Sequence, residues 1–522
     1  MYRELKMALA NMPSDHDAAG DYRPSVEEVF SPDQHANALD PNSPVVVGAR
    51  GTGKSFWAGV LEQESTRSFA AAVYPHIGLD RLIVKAGYTG FTGGSAITAR
   101  TIDARVPVGE ELTTGYVLWN IVVIRAARSA LDPDSEVPSI KEMMKEFSDP
   151  EDLEREIQKL DRQMAESGRS LLVTFDALDT WSTDWKRSVA LTDSLFRVVW
   201  SLRICRSLKT KVFIRPEQLN DEMLEFVEMP KLRSARVQLE WSVTDLYGLL
   251  YWRMSEFTGD AKKQFAKLLG EVAPRHGSDR IKKRRSWRLL FDRSLQEEVM
   301  VTLAGRYMGN GHKKGRVYEW PYKHLADGRG EVTPRSFIKL FTEAAKVSEP
   351  ESELIVQPEG MRHGLREASK VRVDQLVVEY RWVKRALAPL AGLRVPCETE
   401  RVYERWDRSR TLEVIMAAAV DPVSGFMPPF PPRPRSARGG NKNDHLLHAM
   451  ERIGVVSFRA DNRLDIPDLF RVAANMLKKG GNSQVVVVKQ RGQILGARFL
   501  GTPTFLKRIT GSGSKVSPRF TP

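Results

Sequence analysis

Residues Ser43 to Trp57 read SPVVVGARGTGKSFW. The three valines, Val45 to Val47, have the β-branched, wholly apolar character of a buried parallel strand, and the residues from Phe56 onward continue as a helix. Between them Gly48, Ala49, Arg50, Gly51, Thr52, Gly53, Lys54 and Ser55 match the spacing G-x-x-x-x-G-K-[ST]. Glycines in such a turn let backbone N–H groups face inward onto phosphates, and the helix start adds its positive end. Lys54 would reach the β and γ phosphates, and the Ser55 hydroxyl would ligate magnesium. Gly48 to Phe56 is therefore the candidate phosphate-binding segment.

The chain has 522 residues, enough for about three domains. With 42% hydrophobic and 28% charged residues it has the composition of an ordinary globular protein, so long disordered tracts are not expected. A net charge of +13 points to an anionic contact, but over this length it falls short of a dedicated nucleic-acid protein. Two cysteines, Cys205 and Cys397, exclude a disulfide framework and a four-cysteine zinc site, which favours a reducing compartment. No apolar run approaches the roughly 18 residues of a membrane span, and the first residues lack a signal peptide's apolar core. A cytoplasmic location without membrane association is expected. The histidines, His312 and His324 among them, show no metal-ligand spacing.

After an N-terminal segment, residues 1–24, the pattern alternates between strands and helices up to residue 244. Ser31 is a candidate N-cap with Pro32 in the first turn. A second strand is expected near Ala71 to Tyr74, and the glycine-rich KAGYTGFTGGSAI reads as a loop. Thr113 to Leu131 reads as a mostly buried helix, and DPEDLEREIQKLDRQMAESG as an exposed one ending at Gly168. RSLLVTFD is a buried strand that delivers Asp176 as a second magnesium ligand. Asp179, three residues on, is placed either to orient or deprotonate water, or to cap the following helix. KVFIRPEQ is another buried strand, stopped by Pro216, with Arg215 at its end either facing the γ phosphate or solvated. This alternation implies a parallel sheet with helices on both faces. Residues 245–350 are mainly helical. There Thr333 caps a helix with Pro334 at its first position, which mounts Arg335 either toward the phosphates or at the surface.

This set of residues resembles the AAA+ and STAND group of P-loop ATPases, with Gly48 to Ser55 as Walker A and Asp176 with Asp179 as Walker B. Arg215 stands where that group keeps sensor 1, and Arg335 where it keeps sensor 2. FDALD, in place of an Asp-Glu pair, resembles the KAP-like and STAND-like variants. The resemblance implies an α/β P-loop NTPase core at residues 25–244, a helical lid at 245–350 and a winged-helix domain at 365–480. It also implies ATP or ADP with magnesium, a catalytic set of Lys54, Asp179, Arg215 and Arg335, and a homo-oligomer or protein effector partner. A setting in bacterial anti-phage defence is in keeping with that group.

In the third unit, NDHLLHAMERIGVVSFRADNRLDIPDLF reads as a helix, a two-stranded wing and a Pro-started helix. A Pro- and Gly-rich insert, residues 421–444, interrupts it, and the string NKND inside it lacks the preceding buried strand of a guanine-reading motif. Residues 481–522 read as two strands and a tail. The densest basic run, RIKKRRSWR, offers Arg280, Lys282, Lys283, Arg284, Arg285 and Arg288 around Trp287. It suits either nucleic acid or a solvated helix face with Trp287 turned into the core. Three functions follow as expectations: an ATP-hydrolysing switch or remodelling subunit, a DNA-binding loader stimulated by DNA, or a non-hydrolysing nucleotide-bound scaffold.

Overall fold

The computed structural model describes residues 2–14, 23–90, 96–182, 184–219, 224, 226–275, 279–349, 351–419 and 442–478. The loop around FTGG, residues 421–441 of the insert and everything from 479 onward lie outside the described residues.

Five strands form one sheet: β1 (Val45–Val47), β2 (Leu82–Tyr88), β3 (Ser170–Phe175), β4 (Leu208–Ile214) and β5 (Val237–Gln238). Their order is β2-β3-β4-β1-β5 and every pairing is parallel. Register sets Val47 beside Ile214 on one side and Gln238 on the other. Side chains alternate between two separate apolar cores. Val46, Leu172 and Phe213 enter the first core, while Val45, Val47, Leu171, Val173, Val212 and Ile214 enter the second. The sheet is thus covered on both faces, as the apolar runs of β1, β3 and the second half of β4 require.

The helix α2 (Lys54–Glu62) leaves β1 toward the first core, joined by α3 (Glu64–Val73). The second core is built from α4 (Thr113–Leu131), α5 (Pro150–Glu166) and α6 (Trp185–Ser201). In it the Trp119 ring lies 5.3 Å from that of Trp181, tilted by 32°, and meets Phe175 edge-on at 5.9 Å. The segment after β4 also enters this second core through Leu219, Met229 and Leu232. Chains leaving the neighbouring strands β1 and β4 therefore turn to opposite faces, which opens a crevice at their C-terminal ends. A buried lysine ties these strands together: Lys211 Nζ in β4 donates to Asp40 O at 2.9 Å and Ser43 O at 2.6 Å. Burial pushes this amine down to about 7.

Two local expectations need correction. Ala71 to Val73 lie in α3 and not in a strand, because the run of alanines favours the helix. The second strand is β2, which takes in Lys85 to Tyr88 from the segment read as a loop. Gly87 fits because a Cβ there would lie 2.7 Å from the Phe175 ring on β3. Ser31 caps nothing: the helical turns that follow, Asp33–His35 and Ala36–Leu39, start after Pro32 with no side-chain cap.

The second half is helical. An N-terminal helix, α1 (Arg3–Ala10), packs with α9 (Pro334–Lys346), and α7 (Val243–Ser255) with α8 (Arg280–Ser286) follow the sheet. A long helix, α10 (Pro358–Glu379), runs unbroken through residue 365. Beyond it, β6 (Arg394–Val395) pairs with β9 (Leu477–Lys478). After α11 (Asp444–Arg452) a short antiparallel hairpin joins β7 (Ser457–Phe458) and β8 (Leu464–Asp465). Among the described residues no helix is long and apolar enough to cross a membrane.

Candidate active site

The loop between β1 and α2 folds around its own backbone. Gly48 N–H donates to Ile214 O at 3.1 Å, which continues the ladder one residue past β1. Gly53 has φ of 103°, a left-handed value that no other residue adopts cheaply, and it starts α2 at Lys54. Gly48 is needed for space, since a Cβ there would lie 2.4 Å from Thr52 Oγ1. Trp241, just beyond β5, donates from Nε1 to Thr52 O at 2.8 Å and pins the turn from outside. The first turn of α2 supplies the exposed N–H groups and partial positive charge that bind anions.

Lys54 Nζ donates to Gly48 O at 2.8 Å and Ala49 O at 3.1 Å. Burial and the nearby Arg215 guanidinium push it down to about 8. Asp176 follows β3 directly and is 5% exposed. Its N–H donates to Tyr88 O at 2.8 Å, and its carboxylate accepts from Ser55. Burial raises its carboxyl, only partly offset by Ser55 and Lys54.

Asp179 lies in a one-turn 3-10 helix, Leu178–Thr180. The helix-capping role left open for it falls to Asp184, whose carboxylate accepts from Lys186 and Arg187 N–H at the start of α6. Asp179 Oδ2 instead accepts from Arg215 Nη2 at 2.9 Å. Burial works to raise its carboxyl, but Arg215, with help from Lys54 and Arg50, brings it below the usual carboxylate range. Arg215 projects from the end of β4, the strand between those of Lys54 and Asp176. Thr333 caps α9 by accepting from Ser336 N–H at 3.3 Å, and Thr333 and Arg335 pack against Gly51.

These groups meet in one cavity of about 310 Å³. Its polar lining includes Arg50, Lys54, Ser55, Asp176, Asp179, Arg215 and Arg335. Phe30, Trp57, Trp241, Leu249 and Ile338, all continuous with or belonging to the first core, line it with apolar surface, and Phe56 adds another ring. The cations outnumber the carboxylates, so the cavity suits a polyanion joined to an apolar planar group. Sequence reasoning missed Trp241, Phe30 and Arg372. Arg372, on α10, donates from Nη1 to Arg50 O at 2.9 Å across 322 residues of sequence, a distance over which no local signal reaches.

The basic run is taken up by intramolecular partners. Lys283 and Arg284 are 3% and 6% exposed. Lys283 pairs with Glu256, and Arg284 Nε donates to Ser31 O at 2.7 Å while Nη2 reaches Asp33. Arg280 bonds Glu27 and Glu256, Lys282 pairs with Asp279, Arg285 donates to Ala72 O and Arg288 pairs with Asp292. Trp287 is buried, while Lys282, Arg285 and Arg288 are exposed.

No protein family and no curated protein matches the chain. Among solved structures it is similar to the Aeropyrum pernix ORC2 protein in its ADPNP-ADP complexes, with 13% identity and a TM-score of 0.39 over 88% of this chain and 96% of that one.

Proposed function

We propose that the chain is a P-loop ATPase of the AAA+ and STAND group that binds and hydrolyses ATP with magnesium and uses the bound nucleotide as a switch. One observation carries the reading. The order β3-β4-β1 gathers Asp176, Asp179, Arg215, Lys54 and Ser55 from three strand ends into the cavity that Arg335 also lines. Ser55 and Asp176 form a pair of hard oxygen ligands that suits magnesium, and Lys54 offsets only part of the cost of burying Asp176. Magnesium, when bound, would neutralise charge on the β and γ oxygens.

Lys54 would exchange the carbonyls of Gly48 and Ala49 for phosphate oxygens, whose negative charge meets the positive charge of the ammonium. Asp179, held anionic by Arg215, would accept a hydrogen bond from water and align it for in-line attack on the γ phosphorus. Arg215 and Arg335 would meet the negative charge on the transferring group. The proposal extends to residues 365–480 as a winged-helix module reporting nucleotide state, supported by the order of α11, hairpin and short helix. A homo-oligomer or effector partner, a cytoplasmic location and a defence role belong to the same proposal.

A second reading, a nucleotide-holding scaffold with negligible turnover, is favoured by the Asp179–Arg215 bond, which already satisfies two of the side chains that catalysis would use. ATP binding and turnover by the wild-type chain and Lys54→Ala test both. Binding weakened by about 100-fold or more in Lys54→Ala is expected from the loss of a charge-assisted contact. Undiminished binding and turnover there would refute the site, and tight binding without turnover in the wild type would select the scaffold.

A further inference from the structure

Helix α10 lies in the last third of the chain, yet it grips the phosphate loop at its centre. Arg372 Nη1 donates to Arg50 O at 2.9 Å, and Arg50 Nη1 donates in return to Gln375 O at 3.2 Å. Just past the helix, Tyr380 OH donates to Glu217 Oε1 at 3.1 Å, two residues beyond Arg215. Arg372 is 3% exposed and its Nε has no hydrogen-bond partner. A buried guanidinium with an unpaired N–H is held at a cost, so this contact is not one that packing alone would select.

Arg50 faces two ways, because it also lines the cavity with Lys54, Arg215 and Arg335. Besides burial, its electrostatic neighbours are Arg215, Asp179, Arg335 and Arg372, largely the groups assigned to the terminal phosphate. The Gln375 carbonyl is a neutral acceptor at a long distance. A terminal phosphate is ionised, so the same guanidinium meets an opposite charge and can bond it through two N–H groups at once.

We infer that Arg50 selects nucleoside triphosphate over diphosphate by exchanging the Gln375 carbonyl of α10 for the terminal phosphate, while Arg372 acts as a positioning residue that holds the loop backbone. The inference rests on the nucleotide reading above. A diphosphate ends before this group of arginines and leaves Arg50 on α10. A triphosphate draws it off and loosens the second half of the helix. Nucleotide state thereby reaches the C-terminal third through one side chain.

The test uses the full chain with magnesium and either ADP or the β,γ-imido analogue of ATP. Affinities come from calorimetry, and amide hydrogen exchange is followed in residues 372–379. In the wild type the imido analogue, and not ADP, speeds exchange in that segment. Arg50→Gln lowers the triphosphate-to-diphosphate affinity ratio by about tenfold, the worth of one charge-assisted bond. Arg50→Lys, which keeps the cation, recovers part of the ratio. Arg372→Gln gives fast exchange with either nucleotide, and Arg372→Lys restores the difference. An unchanged ratio in Arg50→Gln, or equal exchange with both nucleotides in the wild type, overturns the inference while leaving the site reading intact. A wild type that binds neither nucleotide overturns both.

Discussion

Replacing Asp179 with asparagine is expected to separate binding from turnover. In the structure Arg215 Nη2 lies 2.9 Å from Asp179 Oδ2, with the side chains 10% and 32% exposed. A hydrogen bond to a charged partner contributes about 1.5–3 kcal/mol. Asparagine keeps a neutral acceptor of the same shape, so about half of that is lost, roughly 1.4 kcal/mol or one factor of ten. That factor is what a triphosphate no longer has to overcome when it recruits Arg215. Asp179→Asn should therefore bind the β,γ-imido analogue about tenfold tighter and ADP unchanged, while turnover falls by about 100-fold or more with the loss of the group that aligns water. Calorimetry and a phosphate-release assay on one preparation give both numbers. Weaker binding of the analogue, or turnover within a few-fold of wild type, would show that Asp179 and Arg215 are a structural pair and that another group handles the water.

Affinity for triphosphate should fall as pH rises through about 8, where Lys54 loses its proton, with calorimetry at pH 7 and pH 9 as the check. The same group acts on folding with the opposite sign. Its pKa is below the ordinary 10.5, so between 8 and 10.5 the unfolded chain binds more protons and this lysine's contribution to stability grows with pH. Gly48→Ala brings a Cβ within 2.4 Å of Thr52 Oγ1, which is itself bonded to Ala49 O at 2.8 Å. The loop must shift, with affinity reduced about tenfold and stability by about 1–3 kcal/mol, measured by calorimetry and urea unfolding. Arg284→Ala leaves the buried Ser31 carbonyl without its donor and should cost about 2–4 kcal/mol in urea unfolding. DNA affinity, followed by fluorescence anisotropy, should stay within twofold; its loss from a folded variant would favour the nucleic-acid reading of that run.

Much of the sheet was legible because its signals are local. The loop from Gly48 to Ser55 carries its own motif, and β3 and β4 are apolar runs closed by Asp176 and by Pro216. The miss at β2 has a physical cause. It is an edge strand of the sheet, only partly buried along its middle, so Lys85 is tolerated there, and Gly87 is there because the Phe175 ring leaves no room for a Cβ, although both read as loop residues. The alanines before it looked apolar enough for a strand, yet they build α3. Arg372 and Trp241 were not legible, since their partners in the loop between β1 and α2 lie 322 and 189 residues away. The basic run was visible as a run of like charge, whereas Glu27, Asp33 and Glu256, which pair with Arg280, Lys283 and Arg284, come from distant segments.

The sheet is a wall shared by two apolar cores, and the cavity is finished only where both reach its edge. Phe30, Trp57 and Trp241 are anchored in one core, while Phe175 and Ile214, which carry Asp176 and Arg215, are anchored in the other. Affinity for a ligand and completeness of folding are thus two readings of a single quantity. A substitution deep in either core lowers apparent affinity by increasing the share of molecules with one side open, and touches no group that meets the ligand. In this chain a binding defect marks a recognition residue only when the unfolding free energy measured beside it has not moved.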